Sequence, residues 1–402
     1  MNLEGNQASI REACDAGLLA GAVTMVWQNA KVLQVNEIGY RDVEAHLPMQ
    51  RDTLFRIASM SKPVTVAAAM SMVDEGKLGL RDPIVRWLPE FADLRVLDDP
   101  SGPLDRTHPV QRAILVEDLF THTSGLGYGF SVGGPISRAY VRLPFGQGPD
   151  AWLAALAELP LVHQPGERLT YSHSIDVVGV LLSRIEGKPF HQVLDERILQ
   201  PLGMIDTGFC VTVEGRRRAA TMYRLDGDDQ LQHDVMGQPH LTPPAFCNAG
   251  GGLWSTADDY LRFVEMLLRG GTSRNGVRVL SAESVQLMRT DRLTDEQKRH
   301  PFLGAPFWIG RGFGLNLSVV TDPAKSALLF GPGGVGTFSW PGAYGTWWQA
   351  DPAADLILLY LIQNMPALSA DAAAAVAGNT SRAKLQAVQP KFVHRTYRAL
   401  GV

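Results

Sequence analysis

Apolar and polar positions change their rhythm twice along this chain. Residues 7–17 carry a helical spacing, and the runs at 22–27 and 32–36, joined by Gln28-Asn29-Ala30-Lys31, predict a β-hairpin. Residues 54–57 predict a short strand. A helix follows, whose apolar positions Val64, Val66, Ala67, Ala68, Ala69, Met70, Met72 and Val73 have few polar interruptions, with Gly76 as its stop. From about 80 to 245 prolines, short amphipathic helices and long connections replace the β-branched runs. Helices are predicted there at 151–159, at 175–185 with closure near Gly187, and at 191–198. Ser255 or Thr256 caps a further helix through Leu268, stopped by Gly270-Gly271. Strands then return at 315–320, 328–330, 346–350 and 356–362, with a turn at Asp351-Pro352, and residues 370–376 open a closing helical region.

Strands at both ends with helices between predict an α/β fold of the α+β type. Its antiparallel sheet is assembled from residues 1–80 and 246–402 and flanked by helices, and a mainly helical domain, 81–245, is inserted. The cleft between the two is the expected place for a small-molecule site. Length and composition allow this, since 402 residues at 45% hydrophobic content can bury a large composite core. The formal net charge of −4, with both signs dispersed, offers no basic stripe for nucleic acid and no polybasic segment for a membrane.

No apolar run approaches the roughly 18 residues of a membrane span. The N-terminal segment lacks the basic start and apolar core of a secretory signal, so a cytoplasmic location is expected. Cys14, Cys210 and Cys247 are odd in number and unrelated in spacing, as ordinary reduced thiols would be. The ten histidines are scattered, with no His-Glu-x-x-His and no paired Cys-x-x-Cys, and no phosphate-cradling Gly-Lys-Ser/Thr loop occurs. No metal and no cofactor are expected.

Chemistry concentrates in Phe55-Arg56-Ile57-Ala58-Ser59-Met60-Ser61-Lys62-Pro63. One helical turn stacks Ser59 and Lys62 on one face, and Pro63 fits a first turn. A hydroxyl at a helix N-terminus, with an amine in reach of its proton, has the setting of a nucleophile. The simpler alternative is a capping serine beside a solvated lysine, and Ser-x-x-Lys alone does not decide.

Two more stretches do: Tyr171-Ser172-His173 after Pro165-Gly166-Glu167, and Trp340-Pro341-Gly342-Ala343-Tyr344-Gly345-Thr346 between two late strands. In this order, and with Leu119 to Leu126, Ile198 to Met204 and Gly250 to Thr256, the chain resembles the serine β-lactamase-like superfamily. That superfamily includes class C β-lactamases, DD-peptidases and family VIII carboxylesterases. The resemblance implies Ser59 as the acylated nucleophile, Lys62 as its proton acceptor or electrostatic partner, and Tyr171 as the general base. It also implies an oxyanion hole from the backbone N–H groups of Ser59 and Ala343. A phenol ordinarily titrates near pH 10, so a tyrosine base needs a nearby ammonium, and Lys62 and Tyr171 are left sharing the role.

Two departures bear on substrate. Trp340-Pro341-Gly342 stands where β-lactamases carry Lys-Thr-Gly, and His173 where many carry asparagine. The usual cation for a β-lactam carboxylate is therefore missing, and an indole favours apolar or neutral groups. Small to medium acyl esters are the expected substrates. A β-lactamase- or peptidase-like amide hydrolase, an acyltransferase and a non-catalytic binding homologue are the alternatives. Gly342, Tyr128, His173 and Asp176 join Trp340 as candidate substrate-binding residues. For Asp176 capping or a structural hydrogen bond is the commoner explanation, His173 could merely fill the asparagine position, Tyr128 could be loop packing, and His122 is expected to be structural. Gly129-Phe130-Ser131-Val132-Gly133 matches a Gly-x-Ser-x-Gly elbow, but Ser131 lacks the strand before and the helix immediately after that an elbow requires.

Overall fold

The structure of the chain, a computed structural model, describes residues 3–234, 239–365 and 380–402. Its centre is an eight-stranded antiparallel sheet. From one edge to the other the strands are Arg311–Phe313, Ser318–Val320, Phe338–Ser339, Trp347–Asp351, Leu356–Leu361, Gly21–Gln28, Lys31–Asp42 and Leu47–Pro48. The expected hairpin is there, with a two-residue turn. Asn29 and Ala30 both take positive φ, 50° and 62°, the geometry that matches strand twist across a tight connection. Residues from the two ends of the chain pair at the centre, Val23 opposite Leu361 and Trp27 opposite Ile357.

The central strand Gly21–Gln28 is buried along its whole length, and its alternation decides which layer each side chain enters. Val23, Met25 and Trp27 face the helix Ala257–Leu268 and the main core, which extends without a break to Trp152 and Leu181 in the helical region. Ala22 and Val26 face the other way, onto Ile10 of Ala8–Asp15 and Phe392 and Val393 of Val388–Leu400. Helices therefore cover both faces of the sheet.

The helix Ser61–Asp74 lies inside this core, buried on all sides from Ser61 to Met72. It packs on Ser174–Glu186, which ends where Gly187 adopts a left-handed conformation at φ 66°. Thr256 caps Ala257–Leu268 by accepting a hydrogen bond from the Asp259 amide at 3.3 Å. The strand Phe55–Arg56 pairs with Trp254–Ser255, fastening the start of the buried helix to the Gly250-to-Thr256 segment.

Three expectations about elements need correction or fall outside. Residues 328–330 are not a strand but the end of the helix Pro323–Phe330; Asp322 caps it, accepting from the Lys325 amide, and Pro323 occupies its first turn. The run at 315–320 is not one strand. Asn316 takes a left-handed φ of 64° and turns the chain, so that Arg311–Phe313 pairs back on Ser318–Val320. Residues 370–376 lie outside the described residues. The region 81–245 also holds short strand pairs, Arg95–Leu97 with Thr107–Pro109 and Tyr223–Leu225 with Leu231–His233.

Candidate active site

Ser59 stands in a single 3₁₀ turn, Ala58–Met60, that continues directly into Ser61–Asp74. Ala58 immediately before it has φ 45°, a left-handed conformation that costs a residue with a Cβ about 1–2 kcal/mol. The surroundings hold it: Ile57 N donates to Leu253 O at 3.1 Å and Tyr260 Oη donates to Met60 O at 3.0 Å. Such strain is characteristic of functional turns.

The helical spacing brings Lys62 to Ser59, with Nζ to Oγ at 3.1 Å. Lys62 is buried, and Nζ also donates to the Gly250 carbonyl oxygen at 2.6 Å. It lies 4.7 Å from the ring centroid of Tyr171 and 5.3 Å from that of Tyr128, so two aromatic faces stabilise its charge. The phenol oxygen of Tyr171 accepts a hydrogen bond from Trp340 Nε1 at 3.2 Å. The sequence therefore brings Ser59, Lys62, Tyr171 and Trp340 into one cluster from three distant segments.

Gly342 is where two backbones meet. A Cβ there would lie 2.4 Å from Ile57 O and 2.0 Å from Thr346 Oγ1, so only glycine lets the connection between Phe338–Ser339 and Trp347–Asp351 approach the Ser59 turn this closely. Gly342 N donates to Thr346 O at 2.7 Å, and Ala343 is the next amide along, on the wall of the cavity that holds Ser59. Gly342→Ala is expected to push this connection off the turn. A misplacement of about 1 Å costs on the order of 100-fold in rate, and steady-state kcat on a chromogenic ester, with circular dichroism as the folding control, checks it.

His173 and Asp176, proposed from sequence as substrate contacts, lie instead under the cleft. Asp176 is 1% exposed; its Oδ1 accepts from the Gly250 amide at 2.8 Å and its Oδ2 pairs with His173 Nδ1 at 2.9 Å. A charge at that depth is sustained by such partners rather than by solvent. Tyr128 lines the cavity, stacks on Phe130 with centroids 5.0 Å apart and reaches Asp176 Oδ2 at 3.5 Å. Burial first, then the nearby Asp176 and Tyr171, push its phenol well above the ordinary range, so Tyr128 remains a neutral donor.

His122 supports the site from below. Its ring packs on Tyr171 at 4.7 Å, Nδ1 is 3.0 Å from Ser172 Oγ, and Asn316 Nδ2 lies 3.2 Å from Nε2. Asn316 Nδ2 also donates to Phe120 O, which orients the amide and assigns the ring proton to Nδ1. Burial and the Lys62 charge push the imidazole well below its usual range, so it is neutral. Ser131 Oγ closes its own turn, accepting from Tyr128 N at 2.8 Å and donating to Tyr128 O at 3.1 Å.

Three contributors have little or no signature in sequence. Gly250 belongs to a glycine run, but its carbonyl contact with Lys62 shows only in three dimensions. Ala58 carries a backbone conformation its side chain does not advertise. Arg56 lines the cavity with its guanidinium 4.6 Å over the Trp254 ring, whereas Arg311 is held elsewhere, bonded to Ser326 Oγ and stacked 3.9 Å over Phe330. The cavity has a volume of about 360 Å³, and Phe130, Phe209, Phe246 and Tyr344 supply much of its aromatic wall.

An antiparallel sheet flanked by helices, with a serine, a lysine one turn on and a tyrosine from a separate segment, defines a serine β-lactamase-like protein. The comparisons agree: the Beta-lactamase family profile matches residues 7–380, and the chain belongs to that family. Protein Rv1367c of Mycobacterium tuberculosis strain H37Rv is 79% identical over 402 residues, covering 100% of both chains. Esterase EstB of Burkholderia gladioli is 33% identical over 366 residues, covering 85% of this chain and 86% of its own. The structure of EstCE1, described as a hydrolase with promiscuous acyltransferase activity, superposes with a TM-score of 0.76 at 30% identity, covering 96% and 97% of the two chains. The fold is thus one that carries serine hydrolases and acyltransferases. No helix among the described residues is long and apolar enough to cross a membrane.

Proposed function

We propose that this protein is a serine carboxylesterase that cleaves small to medium acyl esters through an acyl-enzyme on Ser59. The observation that carries the proposal is the 3.1 Å contact of Lys62 Nζ with Ser59 Oγ under the Tyr171 ring. Ser59 attacks the ester carbonyl and its proton passes to the Lys62–Tyr171 pair. The backbone N–H groups of Ser59 and Ala343 receive the developing oxyanion, typically a large catalytic contribution. Tyr171 returns the proton to the departing alkoxide, so the alcohol half lies on the Tyr171 side. Water, activated by the same pair, then attacks the acyl-enzyme and releases the acid.

The Trp340 indole donates to Tyr171 Oη at 3.2 Å. A hydrogen bond of this kind strengthens when the acceptor carries charge, which favours the moment when Tyr171 has surrendered its proton. The same indole replaces the cation that would pair the carboxylate carried by the ring fused to a penicillin or cephalosporin β-lactam. Leaving that anion desolvated and unpaired costs several kcal/mol, or orders of magnitude in kcat/KM. p-Nitrophenyl butyrate is accordingly expected to exceed nitrocefin in kcat/KM by roughly 100-fold or more. Equal or faster turnover of nitrocefin would overturn the ester assignment.

Acyl transfer is the second possibility, favoured by the description of EstCE1 as a hydrolase with promiscuous acyltransferase activity. An alcohol would then replace water at the acyl-enzyme. The ratio of hydrolysed to transferred product in the presence of an added alcohol separates the two.

A further inference from the structure

A second cavity, of about 270 Å³, has Tyr171 in its wall. The turn from Tyr128 to Val132 contributes to both: Tyr128 and Phe130 line the Ser59 cavity, and Ser131 and Val132 line the second. Phe302 closes it beside Tyr171, with ring centroids 5.5 Å apart, and Leu169 and Leu303 add apolar wall. Two basic side chains, Arg168 and His300, also line it.

Arg168 is half-buried, and its recorded contact is a long one, Nη2 to Val162 O at 3.4 Å. No ion pair involves it among the described residues. The adjacent carboxylate, Glu167, is exposed and accepts from the Gln164 amide at 3.0 Å. His163 is pushed down to about 4 by burial above all, with the hydrogen bond to the Gln164 carbonyl and the Glu167 carboxylate opposing the smaller effects of Arg168 and His300. Among the residues lining this cavity Arg168 carries the fixed positive charge, and a guanidinium in such a place suits a carboxylate.

We infer that this second cavity is a carboxylate subsite for the alcohol half of the ester, with Arg168 as the residue that recognises the anion. The inference rests on the esterase assignment, because that assignment puts the alcohol on the Tyr171 side. The substrates it selects are acyl esters of hydroxy acids, with an apolar spacer between the ester oxygen and a free carboxylate. A charge there sits a spacer away from the scissile bond, unlike the penicillin or cephalosporin carboxylate, which is on the carbon next to the lactam nitrogen.

The test compares 4-butyryloxyphenylacetate with its primary amide, a pair whose methylene insulates the leaving phenol from the charge difference. Wild-type kcat/KM is expected to be about 10- to 100-fold higher for the carboxylate, the range of a hydrogen bond to a charged group. Arg168→Gln should bring that ratio close to one, while Arg168→Lys keeps part of it. Free 4-hydroxyphenylacetate should inhibit wild type competitively and Arg168→Gln weakly. Turnover of the amide ester reports folding of each variant. A wild-type ratio near one, or a preference that survives Arg168→Gln, overturns the subsite. So does a preference that appears only with the anion on the acyl half, in p-nitrophenyl hemiglutarate, since Arg56 in the first cavity would then be responsible. Failure of the esterase assignment looks different: neither ester is turned over, or turnover persists in Ser59→Ala.

Discussion

Ser59→Ala is expected to lower kcat on p-nitrophenyl butyrate by at least about a thousandfold, and to leave the fold and its melting temperature nearly unchanged. In the proposed mechanism the hydroxyl forms the acyl-enzyme, and removing a nucleophile that acts within a proton-relay unit removes most of the unit's effect, up to about a millionfold in well-studied serine enzymes. The structural cost is small. Ser59 is not deeply buried, and Lys62 keeps the Gly250 carbonyl as an acceptor when Oγ is gone. Intact-mass spectrometry after fluorophosphonate treatment should show one adduct on Ser59 in the wild type and none in the variant. Labelling at Ser131, or more than a trace of residual turnover, would refute the assignment.

The parts of this site that sequence displayed are those whose geometry is local. Ser59 and Lys62 meet because helical periodicity stacks residues three apart, so their spacing alone predicted the contact later found at 3.1 Å. Tyr171 and Trp340 were recognisable only through resemblance, since no local rule brings residues 171 and 340 to Ser59. Their meeting depends on the sheet that joins the chain's two ends. Gly342 carried a partial signal. A glycine at a strand end can mark a close backbone approach, but that the partner is Ile57 O appears only in the structure.

For His173 and Asp176 the sequence leaves substrate contact and a structural role open. The Ser174–Glu186 helix carries Asp176 inward, where it holds the Gly250 amide while Gly250 O holds Lys62. Its influence on the site runs through backbone. The misassigned strand at 328–330 is instructive in another way. Three apolar residues are too few to fix a period, whereas Asp322-Pro323, an N-cap followed by proline in the first turn, already announced a helix.

Lys62→Ala and Tyr171→Phe should each approach Ser59→Ala in severity, about a thousandfold in kcat, and the double variant should be scarcely worse than either single one. Geometry is the reason. Lys62 Nζ touches Ser59 Oγ, lies 4.7 Å from the Tyr171 ring centroid and is anchored to Gly250 O, so that a single ammonium both faces the hydroxyl and stabilises charge on the phenol. With Lys62 gone, Tyr171 loses the neighbour that makes proton acceptance favourable; with the Tyr171 hydroxyl gone, Lys62 loses the group that carries the proton onward to the leaving alkoxide. Either loss disables the same transfer, and groups acting as one unit are strongly non-additive. The check is a double-mutant cycle in kcat, accompanied by burst kinetics to separate acylation from deacylation. Strictly multiplicative losses, near a millionfold for the pair, would mean that Lys62 and Tyr171 act on separate steps, and the shared relay would have to be abandoned.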